Sequence, residues 1–379
     1  MLPRIRKIIR LSFSVANIMA ILCYLLACLV PFISSGKSWL IAMLGLAFPL
    51  LFIVLLGFFI YWIFRRSKWA FVCLAALLLG WQQVSVMIGF HFPKKIQASK
   101  EQGILRVMSW NLSMWGQSNT SHKSKPDHET EMLDLIKRTD ADVLCFQEYL
   151  YFKDSKYWDS IPAALMEKGY RYSYFKQVRY HARIYQTTIL TASVIISKYP
   201  ITDTGHIFFS EEDLADPLMY ADIKFNEHTI RVFTTHLQSV MFEGWHYNAM
   251  RNLNGGVKKT YGDSKAIAYR LRNAYIKRSS QAEAVRQKIK ESPYPVIICG
   301  DFNDVPNSYT YFTLKGNLQD AFLKKGSGFG RTLNFISPTL RIDYILADKE
   351  LEIDRFHVIK VPYSDHYPVV ADMRFPGDH

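Results

Sequence analysis

Three long apolar stretches open the chain, at residues 11–33, 39–64 and 69–90, each near or above the ~20 residues a helix needs to cross a bilayer. They predict three transmembrane helices. The first is not read as a signal peptide, because it lacks a small-x-small cleavage site before a polar mature start and two more apolar stretches come after it. Residues 94–103 are polar and lysine-bearing and read as a linker. From about Ile104 the pattern changes to short β-rich runs alternating with helical ones. Strands are predicted at 105–110, 142–147, 171–177, 192–197, 229–235, 295–299, 341–346, 351–360 and 369–373, and helices at 129–139, 160–168 and 264–291. Strands interleaved with helices predict an α/β domain over residues 104–379, behind a membrane anchor formed by residues 1–93. In the longest helix Ile267, Leu271, Ala274, Tyr275, Ala282, Val285 and Ile289 recur near helical spacing. Arg270, Arg278 and Arg286 fall on other positions, as expected of a solvated outer face on a helix that covers a sheet.

Charge changes this picture once it is divided along the chain. The 379 residues carry 46 Lys+Arg against 33 Asp+Glu, a net +13 that would suit a nucleic-acid partner. Residues 1–93, however, hold Arg4, Arg6, Lys7, Arg10, Lys37, Arg65, Arg66 and Lys68 and no Asp or Glu, so most of the excess flanks the apolar stretches. Positively charged flanks resist translocation. Arg4, Arg6, Lys7 and Arg10, with Arg65, Arg66 and Lys68, therefore mark the cytoplasmic side, and three crossings put the N-terminus in the cytoplasm and residues 104–379 outside it. The stretches contain no acidic residue, which argues for anchoring rather than ion or proton transport. Of the 5 cysteines, Cys23, Cys28 and Cys73 lie in apolar stretches and Cys145 and Cys299 in predicted strands, so buried thiols are expected and no disulfide framework.

The candidate chemistry sits where predicted strands begin or end, the places where α/β sheets present functional groups. Asn111 stands in Ser-Trp-Asn, Glu148 in Phe-Gln-Glu, His236 in Thr-Thr-His-Leu, Asp301 and Asn303 in Gly-Asp-Phe-Asn, Asp343 in Arg-Ile-Asp-Tyr, and Asp365 and His366 in Ser-Asp-His-Tyr-Pro. Taken singly each has an ordinary structural explanation: a turn, a strand end, a core histidine, or a pair between Asp343 and Arg341. Together they form an ordered set. Hard divalent cations such as Mg²⁺ take carboxylate and amide oxygens, which Glu148 and Asn111 offer. In-line attack on phosphorus further needs an oriented water, donors for the equatorial oxygens and a proton source for the leaving group, roles open to Asp301, Asn303, His236 and His366.

With these segments in this order the sequence resembles the endonuclease/exonuclease/phosphatase superfamily, over about residues 104–373. The resemblance implies a four-layer α/β sandwich, two mixed sheets face to face with helices outside, and Mg²⁺-dependent hydrolysis of a phosphoester, with Mn²⁺ as a substitute ion. Carried over, it implies Glu148 and Asn111 as metal ligands with Asp365 beside the metal, and Asp301 orienting or deprotonating water next to Asn303. It also implies His236 on the scissile phosphate and Asp343 holding the imidazole of His366. The apurinic DNA-repair branch has an acidic residue two positions after the first Asn, where this chain has Ser113; base-excision repair is disfavoured. The expected function is a membrane-anchored phosphodiesterase or phosphatase acting on a phospholipid or sphingolipid head group. The alternatives are an extracytoplasmic metal-dependent nuclease and a non-catalytic binding module; no protein partner is inferred. The segment 241–262, with Phe242, Trp245, Tyr247 and Tyr261, is read as a lid touching lipid or, equally, as packing under the long helix.

Overall fold

The computed structural model describes residues 2–92, 100–116, 128–152, 163–184, 187–209, 216–240, 261–334, 337 and 339–377. Most of the linker and residues 241–260 of the expected lid lie outside them.

The N-terminal apolar region folds into helices α1 (Leu2–Ala27), α2 (Trp39–Leu46), α3 (Phe48–Phe64), α4 (Trp69–Leu79) and α5 (Trp81–Ser85). The expectation of three continuous spans is corrected. Among the described residues only Ile8–Phe32 is a helical segment long and apolar enough to cross a bilayer, and α2 with α3 reaches that length only as a pair bent by 65°. The bend falls at Ala47, one residue before α3 starts with a proline in its first turn; proline offers no N–H to the preceding turn and its ring clashes with it. The third stretch breaks at Gly80, leaving α4 with 11 residues, about 17 Å of helix against roughly 30 Å of hydrocarbon.

Beyond the apolar region the chain builds two six-stranded mixed sheets. One runs β13 (Glu352–Val358), β14 (Val369–Arg374), β2 (Leu105–Asn111), β3 (Val143–Phe152), β5 (Thr187–Ser197), β4 (Tyr172–Ile184). The other runs β10 (Gln319–Asp320), β12 (Asp343–Ala347), β9 (Val296–Asp301), β8 (His228–His236), β7 (Leu218–Phe225), β6 (Ile201–Ile207). A separate ribbon joins β1 (Gly89–Phe90) to β11 (Ser327–Gly328). Side chains alternate along a strand, so each central strand serves two cores. Leu105, Val107, Val143 and Cys145 face Ile223, Val232, Ile297 and Cys299 across the gap between the sheets. Met108, Trp110, Leu144 and Phe146 pack outward under Met132, Leu135 and Ile136 of the helix Glu129–Thr139. Phe233 and Ile298 pack under Ala282, Val285 and Ile289 of the long helix Tyr261–Lys290. The result is the expected helix–sheet–sheet–helix stack. Strands β6 and β7 have no counterpart among the predicted ones, and Arg278, placed by pattern on a solvated face, is buried.

Candidate active site

Strands β8 and β9 are parallel and β9 and β12 antiparallel, and their register puts His236 opposite Asp301 and Asp301 opposite Asp343. The three side chains thus leave one sheet in a row. Gly300 permits this approach: a Cβ there would lie 2.0 Å from the carbonyl oxygen of Thr235. In the other sheet Asn111 ends β2 and pairs in register with Gln147, next to Glu148. Glu148 has φ +48° at a register shift in β3, and Ser113, Met114 and Trp115 all have φ between 50° and 56°. Left-handed backbone costs non-glycine residues about 1 kcal/mol or more each, and such strain gathers where side chains must be aimed against local preference.

The two sheet ends meet through Asn111. Its amide nitrogen donates to Asp301 Oδ2 at 3.1 Å and to Glu148 Oε1 at 3.3 Å, while its Oδ1 accepts from the Ser113 N–H at 3.0 Å. The Asn303 N–H donates to Asp301 Oδ1 at 2.8 Å and the Asn303 amide to the Leu237 carbonyl at 2.9 Å, tying the Asp301 loop to the strand end that carries His236. His366 arrives on a bend held by Trp110 Nε1, which donates to the His366 carbonyl at 2.9 Å, and by Ser364 Oγ, which accepts the His366 N–H and donates to the Asn111 carbonyl. Its Nδ1 lies 3.0 Å from Asp343 Oδ2, and its Nε2 lies 3.7 Å from Asp301 Oδ2. His236 is placed similarly but more loosely: Nε2 is 3.6 Å from Asp301 Oδ2 and 3.8 Å from Glu148 Oε1, and Nδ1 faces Asp216 Oδ2 at 3.6 Å, beyond hydrogen-bond distance.

Asp301 therefore sits between two imidazoles, each backed by a second carboxylate. Burial alone would lower His236, but Asp216, Asp301 and Glu148 outweigh it and hold the ring at about 10. The same balance, with burial opposed by Asp343 and Asp301, puts His366 well above its ordinary range. Both rings are thus held above the ordinary histidine range. Burial pushes Asp301 up and Asp343 adds to it, while the two imidazoles pull it back only in part. Glu148 is also pushed up by burial, with Asp365 adding to the shift. Five carboxyl groups surround the two imidazoles, so acidic side chains outnumber basic ones in the site. Glu148, Asp365 and, once its side-chain amide is turned over, Asn111 offer the oxygen donors that a hard divalent cation takes. Asp301, Asp343 and His366 also bring one donor atom each within 4.8 Å of one another, but the His366 Nδ1 contact to Asp343 makes these a hydrogen-bonded chain.

The eight residues singled out in the sequence thus converge on one end of the two sheets. Four others that hold the site were not anticipated. They are Asp216, which backs His236 and accepts from Ser193 Oγ at 2.5 Å; Thr332, whose Oγ1 accepts the N–H groups of Ile342 and Asp343; Ser364; and Arg278. Arg341 pairs with Asp320 at 2.7 Å, not with Asp343.

The profile of the Endonuclease/Exonuclease/phosphatase family matches residues 108–366, and that of a domain of unknown function matches residues 6–87. No curated protein matches the chain in sequence. Similar solved structures include an endonuclease/exonuclease/phosphatase from Beutenbergia cavernae, 19% identical over 73% of each chain with a TM-score of 0.52. Another is the human Nocturnin catalytic domain with bound sulfate anion, 20% identical over 72% of this chain and 94% of that one, TM-score 0.50. At these identities the likeness is one of fold.

Proposed function

We propose a Mg²⁺-dependent phosphoesterase working at a membrane surface: the chain belongs to the endonuclease/exonuclease/phosphatase family and is a metal-dependent hydrolase of phosphoester bonds. Residues 1–93 serve as the anchor, 94–103 as the linker and 104–379 as the catalytic domain, which lies outside the cytoplasm. The observation that carries the reading is the row His236, Asp301, Asp343, closed by His366 and faced by Asn111 and Glu148.

Glu148 and Asn111, with Asp365, would hold the cation, which when bound draws charge from the phosphoryl oxygens. Asp301 takes the proton of the attacking water; a carboxyl raised toward neutrality is a stronger base there than an ordinary aspartate. The water oxygen bonds to phosphorus as the ester P–O bond breaks; the leaving oxygen takes its proton from the His366 imidazolium, which the proton accepted by Asp301 restores. His236 and His366, both cationic, face the region where negative charge grows on the equatorial and leaving oxygens. Asp343 holds His366 with Nε2 toward the site, Asp216 faces His236 Nδ1 from behind as a nearby negative charge, and the Asn303 N–H fixes the Asp301 rotamer. The apolar helices, which expose Ile8, Leu11, Ile53, Phe64 and Leu79, would keep the site beside lipid and raise the effective concentration of head groups, which favours a phospholipid or sphingolipid.

The test uses the full-length chain in detergent with Mg²⁺ and compares phosphatidyl and sphingolipid liposomes, duplex DNA, RNA and soluble phosphomonoesters, with Glu148→Gln as control. Lipid turnover that the control loses is the expected result. Turnover of nucleic acid alone would replace the lipid reading with a tethered nuclease, and no turnover of any substrate would leave a binding module.

A further inference from the structure

The apolar N-terminal region does more than trail from the hydrolase domain; it is built into the back of the active-site loops. Val86 packs in one core with Phe233, Ile298 and Leu346. Its carbonyl accepts from Arg341 Nη2 at 2.7 Å, and Arg341, 1% exposed, gives Nη1 to Asp320 Oδ2 at 2.7 Å. Two residues on is Asp343, the partner of His366. A second contact falls on the loop that carries Asp301 and Asn303. Helix α2 lies so close to it that a Cβ on Gly45 would stand 2.5 Å from the Asn307 carbonyl oxygen. Asn307 is buried, neither of its amide atoms has a hydrogen-bond partner among the described residues, and it lines a small cavity together with Gly45, Leu46 and Met87. A third contact is the β1–β11 ribbon, continued by the His91 N–H, which donates to Gly326.

Within the catalytic domain the two buttressed loops are linked to each other. The Phe302 N–H donates to the Ile342 carbonyl at 2.9 Å, and the Tyr344 hydroxyl is shared between the carbonyls of Asp304, at 2.8 Å, and Arg341, at 2.7 Å. Displacing either loop moves Asp301 or Asp343, and misplacement of a catalytic group by about 1 Å can cost on the order of 100-fold in rate. Removing the Val86 acceptor would leave part of a buried guanidinium unsatisfied, a cost the loop would relieve by shifting.

We propose that the region matched only as a domain of unknown function is a scaffold for the active site, holding the Asp301–Asn303 and Asp343 segments in place through Gly45 and Val86. The proposal rests on the hydrolase reading and goes beyond it, because it makes the anchor part of the machinery that sets the rate. Gly45 and Val86 act as positioning residues.

Full-length protein in phosphatidylcholine nanodiscs would carry Gly45→Leu, a wedge against Asn307, or Gly57→Leu, the same change on α3 where a Cβ meets nothing within 4 Å. Amide exchange is monitored in peptides covering 301–310 and 341–346 and, as a reference on the outer face of the other sheet, 129–139. Hydrolysis of bis(p-nitrophenyl) phosphate is measured with kcat and KM separated. Gly45→Leu is expected to speed exchange at 301–310 and 341–346 but not at 129–139, and to lower kcat by about 10- to 100-fold with little change in KM. Gly57→Leu should match the unmodified chain. Equal behaviour of the two variants, or exchange raised uniformly across all three segments, would overturn the proposal. Gly45→Ala, a smaller wedge at the same point, serves if the leucine variant does not fold. Exchange needs no turnover, so failure to cleave the diester would count against the substrate reading while the exchange pattern still decides the scaffold.

Discussion

Among single residues, the least expected partner in the site is Asp216. Three carboxylates hold His236 at about 10, and Asp216 is the one on the Nδ1 side, away from the reacting region. A histidine raised in this way keeps its charge and its contribution to stability below its ordinary value near 6.5, and loses both as pH rises through the folded value. The kcat/KM profile should therefore fall on the alkaline side near pH 10, and Asp216→Asn should move that limb toward neutrality with little change on the acid side. An alkaline limb that stays in place would remove Asp216 from its role. The sequence named His236 and Asp301 because they stand in short motifs at strand ends. Asp216 escaped because it precedes β7, a strand that pattern alone did not pick out, although Leu218, Tyr220, Asp222 and Lys224 alternate with Met219, Ala221, Ile223 and Phe225 along it.

Among the elements, the helix predicted at 129–139 matches Glu129–Thr139, while the one predicted at 264–291 begins earlier, at Tyr261. Pattern placed Arg278 among the solvated positions of this long helix, yet its guanidinium lies 3.4 Å from Asp304 Oδ2 and donates to the Gln238 carbonyl at 3.1 Å, while the Gln281 amide oxygen accepts the Gln238 N–H. One helix thus pins the segment after His236 and the segment after Asn303. Arg278→Met should destabilise the protein by about 3–5 kcal/mol at neutral pH, since it leaves Asp304 buried without its cation. Burial already pushes Asp304 up, Arg278 being the main influence that pulls it down, so protonation should relieve the loss. The deficit in thermal stability is expected to shrink as pH is lowered, and a deficit that does not change with pH would show that packing, not charge, is what Arg278 supplies.

For the whole molecule, the number of crossings decides which side holds the catalytic domain. One crossing by Ile8–Phe32, or three, puts it opposite Arg4, Arg6, Lys7 and Arg10; two would put it on the same side. With the basic flank cytoplasmic, protease added to right-side-out vesicles should digest the domain without permeabilisation. Protection until the vesicles are opened would mean an even number of crossings and a cytoplasmic enzyme.

The sequence by itself determined the apolar–polar division of the chain and the α/β character of residues 104–379, and it singled out the eight residues that meet at one end of the sheets, because periodicity and short motifs are local and each strand end carries its own mark. Only the tertiary structure decided that His236, Asp301 and Asp343 stand side by side, since strand register is a long-range property that no single segment holds. It likewise decided that the apolar stretches are bent and broken, because hydropathy counts residues and does not see a helix turn by 65°. It seated Gly45 and Val86 against the loops of the site for the same reason: close packing depends on the shapes of two surfaces far apart in the chain.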